Sequence, residues 1–164
     1  MLAVVILASP ADEAHGRELT RALERLGIPY EVRIASAHKT PAHLLKLLQQ
    51  YEADPRPKVY LTIAGRSNAL SGLVDAQVTA PVIACPPYSE RYAGADLLSS
   101  LRTPSGVAPA VVLEAENAAL LAAKVLALAC PELQAKVREV QEEQRRRLLE
   151  ADAIFSRCEE RGER

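Results

Sequence analysis

Residues 3–8 form an unbroken apolar run of strand length, and over 12–26 the apolar positions Leu19, Leu23 and Leu26 recur at helical spacing until Gly27 and Pro29 stop them. This is one β-α unit. Residues 30–35, with Val32 and Ile34, predict a second strand; Thr40 then caps a helix that has Pro41 at its first position and Leu44, Leu45, Leu47 and Leu48 inside. A third strand is predicted over 58–64, after the turn Asp54-Pro55-Arg56-Pro57, and Gly65-Arg66-Ser67-Asn68 leads from it into a helix bearing Leu70, Leu73 and Val74. Residues 81–85 predict a fourth strand, closed by Pro86-Pro87. After an irregular stretch come a short fifth strand over 110–113 and a helix over 117–129 that is apolar almost all round, so buried on several sides. The alternation predicts a flavodoxin-like three-layer α/β/α fold, its five-stranded parallel sheet in the order 2-1-3-4-5 and covered on both faces.

From Leu133 the composition shifts to charged helix formers, and Leu133, Val137, Val140, Leu148, Ala151 and Phe155 draw a stripe along one long amphipathic helix. Such a helix either packs on its own domain or reaches another subunit. Since residues 118–128 already supply a covering helix, the second stripe favours an arm. The chain is thus expected to be a single domain, with an α/β core over 1–131 and the C-terminal helix over 132–164.

At 164 residues the chain can bury a core without disulfides or metal. A net charge of -1 gives no electrostatic reason for it to bind nucleic acid or an anionic membrane. Cys85, Cys130 and Cys158 are odd in number and lack metal-ligand spacing, which predicts free thiols and a reducing, cytoplasmic setting. The apolar opening has no basic leader, no apolar run approaches the roughly 18 residues of a membrane span, and no lipidation motif stands at either end. A soluble protein is expected.

Ligands of open parallel sheets bind beyond the carboxyl ends of the strands, where the strand order reverses. Three loops reach that place: Ser9-Pro10-Ala11-Asp12, Ser36-Ala37-His38-Lys39-Thr40-Pro41 and Gly65-Arg66-Ser67-Asn68-Ala69. Each opens a helix, so unpaired backbone N–H groups converge on one volume suited to an anion, most simply a phosphate. Capping alone accounts for each loop taken singly: Ser9 and Asp12 make a capping box, Thr40-Pro41 a helix start, and Gly65 to Asn68 a turn. The functional reading comes from all three meeting on one sheet edge. His38 is the candidate acid/base there, an imidazole being a side chain that can both take and give a proton. His15 and His43 fall in first helical turns and are given no chemistry. Cys85, with no base near it in sequence, is expected to be inert. No dinucleotide fingerprint, P-loop or His/Cys cluster is present, so no cofactor or metal is expected.

These loops, in this order, resemble those of the aminoimidazole ribonucleotide carboxylase family of purine biosynthesis, the PurE family. Ser9 and Asp12 fall on its Gly-Ser-x-Ser-Asp loop, Ser36-Ala37-His38-Lys39 on its Ser-Ala-His-Arg/Lys loop, and Asn117 to Ala122 on the start of its buried helix. Lys39, Gly65-Arg66-Ser67-Asn68, Cys85-Pro86-Pro87 and Ser99-Ser100-Leu101-Arg102 look like class II. Class I mutases typically carry Arg after the His and Ala-Ala-His-Leu-Pro-Gly after the third strand. The resemblance implies ATP-independent, reversible carboxylation of 5-aminoimidazole ribonucleotide by CO2 in a homo-octamer with sites near subunit contacts. It gives His38 the acid/base role, Ser9, Ser36 and Lys39 the phosphate, Asp12 the ribose, and Gly65, Arg66 and Ser67 the CO2. The alternatives are the class I mutase and a non-catalytic nucleotide-binding module. Ala8 and Ala11 motivate the latter, standing where the family has Gly and a second Ser.

Overall fold

The apolar opening run becomes β1 (Leu2–Leu7), an interior strand of the sheet buried along its whole length. The computed structural model describes residues 1–160, without the side chains of Tyr92 and residues 157–160. After a 3₁₀ turn at Pro10–Asp12 come α1 (Glu13–Arg25), β2 (Tyr30–Ile34), α2 (Pro41–Glu52), β3 (Lys58–Ile63), α3 (Ala69–Asp75) and β4 (Val82–Ala84). A 3₁₀ helix at Arg91–Ser100 then precedes β5 (Ala110–Val111), α4 (Ala115–Leu126) and α5 (Leu133–Glu160). The five strands are parallel in the order β2-β1-β3-β4-β5, as the sequence predicts.

Because strand side chains alternate, β1 splits the core in two. Ala3, Val5 and Leu7 pack with α1 and α4, whereas Leu2, Val4 and Ile6 pack with Leu44, Leu47 and Leu48 of α2 and Leu70 and Val74 of α3. Gly16 lets α1 close on the sheet: a Cβ there would stand 2.9 Å from a methyl of Leu7. That approach seats α1 over β1 and β3, since Ile63 is the next neighbour of the same position.

The sheet carries helices on both faces, as expected, with its β2 edge open: Val32 and Ile34 are 44% and 50% exposed. Two expectations need correction. The stretch before β5 is not wholly irregular, since ten of its residues form the Arg91–Ser100 helix. The all-apolar helix ends at Leu126, leaving Leu128 87% exposed beyond it. In α5, Leu133 and Val137 are buried and Val140 packs against the same cluster, but Leu148 and Phe155 further along the stripe are exposed. Among the described residues, the C-terminal half of the helix therefore leaves the apolar side chains of its stripe uncovered. The helix expected over 132–164 is described to Glu160, and its last four positions lie outside the described residues. No helix among the described residues is long and apolar enough to cross a membrane.

Candidate active site

The loops after β1, β2 and β3 meet, and between them lies a cavity of about 410 Å³. All eight residues expected at the site line it: Ser9, Asp12, Ser36, His38, Lys39, Gly65, Arg66 and Ser67. His38 and Lys39, directly before α2, are both exposed, while Ser9, Asp12 and Ser36 are half-buried.

Local chemistry fixes the first loop. Ser9 caps the 3₁₀ turn, its Oγ accepting the Ala11 N–H at 3.2 Å. A serine hydroxyl has one donor and two acceptor positions, so this bond leaves its hydrogen to give to a ligand. Ala8, in the place of the family's Gly, is accommodated without strain, because the positive φ values of non-glycine residues fall only at Arg66 and Ala93 among the described residues. The Asp12 carboxyl is pushed above the ordinary aspartate range, chiefly by burial; the Ser9 backbone amide, then His15 and Arg66, pull it back down. The expected capping box is not what closes the turn: Ser9 Oγ takes the Ala11 N–H, and the Asp12 N–H donates to the Ser9 carbonyl at 3.1 Å.

The second loop differs from expectation in one bond. Thr40 does precede α2, but its side chain makes no cap. Its Oγ1 instead accepts the Ser36 N–H at 2.9 Å, while the Thr40 N–H donates to Ser36 O at 2.9 Å. The Lys39 N–H donates to Ser36 Oγ at 3.2 Å, so Ser36, like Ser9, accepts from the backbone and keeps its own hydrogen for a ligand. Ser36 and Thr40 thus tie the loop into a closed turn and place His38 and Lys39 at its tip.

The third loop carries the one strained residue of the site, Arg66, at φ 60°. Gly65, Arg66 and Ser67 form a wall shared with a second cavity of about 690 Å³, lined also by Pro87, Tyr88, Ser89, Arg91, Asp96 and Ser99. Sequence reading misses this second chamber because it is built from the stretch that reads as irregular. The signals are Gly94, which takes φ +75°, and the Ser99-Ser100 pair at the end of the 3₁₀ helix.

Cys85 does have a base beside it, brought by the fold rather than the sequence: His15 Nε2 is 3.2 Å from its Sγ. Burial nevertheless pushes the thiol up to about 12, with Glu114 and Glu18 adding to the effect. The thiol's single hydrogen has two acceptors in reach, the Leu113 carbonyl at 3.6 Å and His15 Nε2, while His15 Nδ1 lies 3.6 Å from Glu18. At pH 8 a thiol of that pKa is ionised in only about one molecule in ten thousand. Iodoacetamide at pH 8 is thus expected to leave Cys85 unmodified in the native protein and to modify it in denaturant, as read by peptide mass mapping; labelling of the native protein would contradict this. Cys85 and Cys130 are free and buried, and the Cys158 side chain lies outside the described residues. No group of three metal-ligating side chains exists among the described residues.

Comparison with known proteins places this geometry. The family model described as AIR carboxylase matches residues 2–147. A phosphoribosylaminoimidazole carboxylase of Treponema denticola is 47% identical, over 95% of this chain and 98% of its own. One from Archaeoglobus fulgidus is 50% identical, over 93% of this chain and 83% of its own. A crystal structure of Treponema denticola PurE superposes with a TM-score of 0.92 at 48% identity, covering 93% of this chain and 97% of that one. A match of this extent, with the loops of the fold converging on one cavity, makes the chain a member of the AIR carboxylase family, the PurE enzymes of purine biosynthesis.

Proposed function

We propose that this protein is a class II enzyme, joining CO2 itself to C4 of 5-aminoimidazole ribonucleotide, without ATP and reversibly. The observation that carries this reading is the sharing of one cavity by Lys39 and Gly65-Arg66-Ser67, the residues that separate class II from class I. The phosphate sits on the Ser9 and Ser36 hydroxyls, which keep their hydrogens to donate, and on the Lys39 ammonium. Asp12 accepts hydrogen bonds from the ribose. Gly65, Arg66 and Ser67 confine CO2 against the ring, with Ser67 donating to the nascent carboxylate.

The reaction asks for positioning more than for activation. C4 of the aminoimidazole is the nucleophilic carbon of an enamine; its electron pair forms the new C–C bond as one C=O π pair moves onto oxygen. The adduct then carries hydrogen and carboxylate on the same carbon. Removal of that proton restores the aromatic ring, and His38 takes it; in the reverse direction the imidazolium returns it to C4 and CO2 leaves. The absence of a hydroxyl at Ala11 removes one contact of a kind worth about 1.5 to 3 kcal/mol when made to a charged group. The two remaining hydroxyls and the ammonium still surround the phosphate position. The working unit is a homo-octamer held in part by α5.

Purified protein given 5-aminoimidazole ribonucleotide and CO2/bicarbonate without ATP is expected to form the 4-carboxylated product. The N5-carboxylated ribonucleotide, run in parallel under CO2-free conditions, is expected to give none directly. Product from the N5-carboxylated compound alone would make this a class I mutase, and binding with no product from either would make it a non-catalytic module.

A further inference from the structure

We propose that Asn68 and Ser99 are positioning residues that lock the Gly65 to Ser67 wall and thereby set the affinity for CO2 separately from that for the ribonucleotide. The proposal rests on the carboxylase reading above for the ligand that the wall faces. Its physical basis is a chain of hydrogen bonds that begins in the sheet. Thr62, Asn68, Ser71 and Ser100 are the buried polar side chains among the described residues, at 0%, 7%, 2% and 5% exposure, and all four belong to this chain. A buried hydroxyl or amide is costly unless every partner is supplied, and an apolar quartet would fill the same space. Their concentration along one path to one loop is what needs explaining.

The direction of each bond follows from counting hydrogens. Ser71 gives its single hydroxyl hydrogen to Asn68 Oδ1 at 2.8 Å, so the 2.8 Å contact with Thr62 on β3 is made by the Thr62 hydroxyl donating. Asn68 Oδ1 also accepts the Ser71 N–H at 3.2 Å, which makes Asn68 the cap of α3. With Oδ1 thus fixed, the amide nitrogen points the other way and donates to Ser100 Oγ at 2.9 Å. The backbone of the same residue donates to Ser99 Oγ at 3.0 Å. The Ser99 hydroxyl has one hydrogen for two carbonyls, that of Asp96 in its own 3₁₀ helix at 2.7 Å and that of Arg66 at 3.1 Å, so the firm link between helix and loop is the Asn68 N–H that its oxygen accepts.

The loop requires such a clamp. A non-glycine residue in the left-handed region costs of order 1–3 kcal/mol and persists where its surroundings over-determine it. Arg66 is that residue; the amide two positions on donates to the Ser99 hydroxyl, and the Arg66 carbonyl stands 3.1 Å from the same oxygen. Neither Ser9 nor Ser36 touches this chain; their partners are Ala11, Lys39 and Thr40. The phosphate end of the cavity and the CO2 end are therefore fixed by separate sets of bonds.

Ser99→Ala is expected to raise the KM for CO2 about fivefold or more, the worth of one ordinary hydrogen bond. The equilibrium Kd of the ribonucleotide, measured calorimetrically without CO2, should stay within about twofold. Ser99→Thr, which keeps the hydroxyl, should restore the CO2 KM. Amide hydrogen exchange at Asn68 should quicken in Ser99→Ala and recover in Ser99→Thr. An unchanged CO2 KM, or a rise in KM and Kd by the same factor, would overturn the proposal. Failure of the carboxylase reading would show in the unsubstituted protein as no turnover of CO2. In that event exchange at Asn68 still decides the clamp, and protection that survives Ser99→Ala would sink it.

Discussion

Asn in place of His38 is expected to lower kcat for carboxylation by about 10²- to 10⁴-fold, the usual share of a general acid/base, while the ribonucleotide still binds. The structure makes this substitution a clean one. His38 lines the cavity, and the loop is tied by Ser36, Lys39 and Thr40 through bonds in which the imidazole has no part. A loop side chain that makes no such bond changes stability by about 0.5 kcal/mol or less when replaced, so a loss of rate cannot be attributed to unfolding. Asn cannot take up the C4 proton, and the adduct reverts to CO2 and substrate. Single-turnover rates and calorimetric binding, measured side by side, test this. Turnover at the unsubstituted rate would move the proton to another group. Loss of binding together with rate would make His38 a ligand-holding residue.

The strands and the switch point are legible in the sequence because β1 and β3 are buried on both faces and so write continuous apolar runs. The three site loops are legible for the same reason, since each is bounded by a clear strand and a clear helix start. What the sequence hides is tertiary. Nothing local marks Arg66 for φ 60°, because the bonds that hold it come from Ser99, thirty-odd positions away. Nothing local marks Thr62 or Ser71 as polar groups within the core; each looks like an ordinary small residue until its partner is in place. Thr40 shows the opposite failure. A cap motif is present, yet its hydroxyl serves Ser36 instead, because the turn closing the His38 loop competes for the same oxygen. Cys85 has no base near it in sequence, yet His15 lies against its thiol, because the ends of β4 and α1 meet only in the fold.

Replacing Leu148 and Phe155 together by Glu is expected to break the proposed octamer into smaller species while leaving the core of each subunit intact. The two residues stand seven apart, on one face of α5, and are 72% and 74% exposed. Leu149 and Ile154 flank them at 70% and 62%. Arg146 with Glu150, Arg147 with Glu143 and Arg145 with Glu142 form ion pairs along the same half of the helix. Such pairs add only about 0.2 to 0.5 kcal/mol each, too little to hold a free-standing half-helix of this length. Burial of a Leu or Phe is worth about 1.5 to 3 kcal/mol, so an apolar strip of this size, once it finds a partner, outweighs all three ion pairs together. The core does not depend on that strip. Leu133, Val137 and Val140 anchor α5 to its own subunit, and the substituted positions lie beyond them. Sedimentation should therefore show a lower mass for the double variant, with a melting transition that persists and far-ultraviolet dichroism that loses at most the last turns of one helix. An unchanged mass would place the subunit contacts elsewhere, and a collapse of the melting transition would mean that the distal half of α5 packs on its own core in solution.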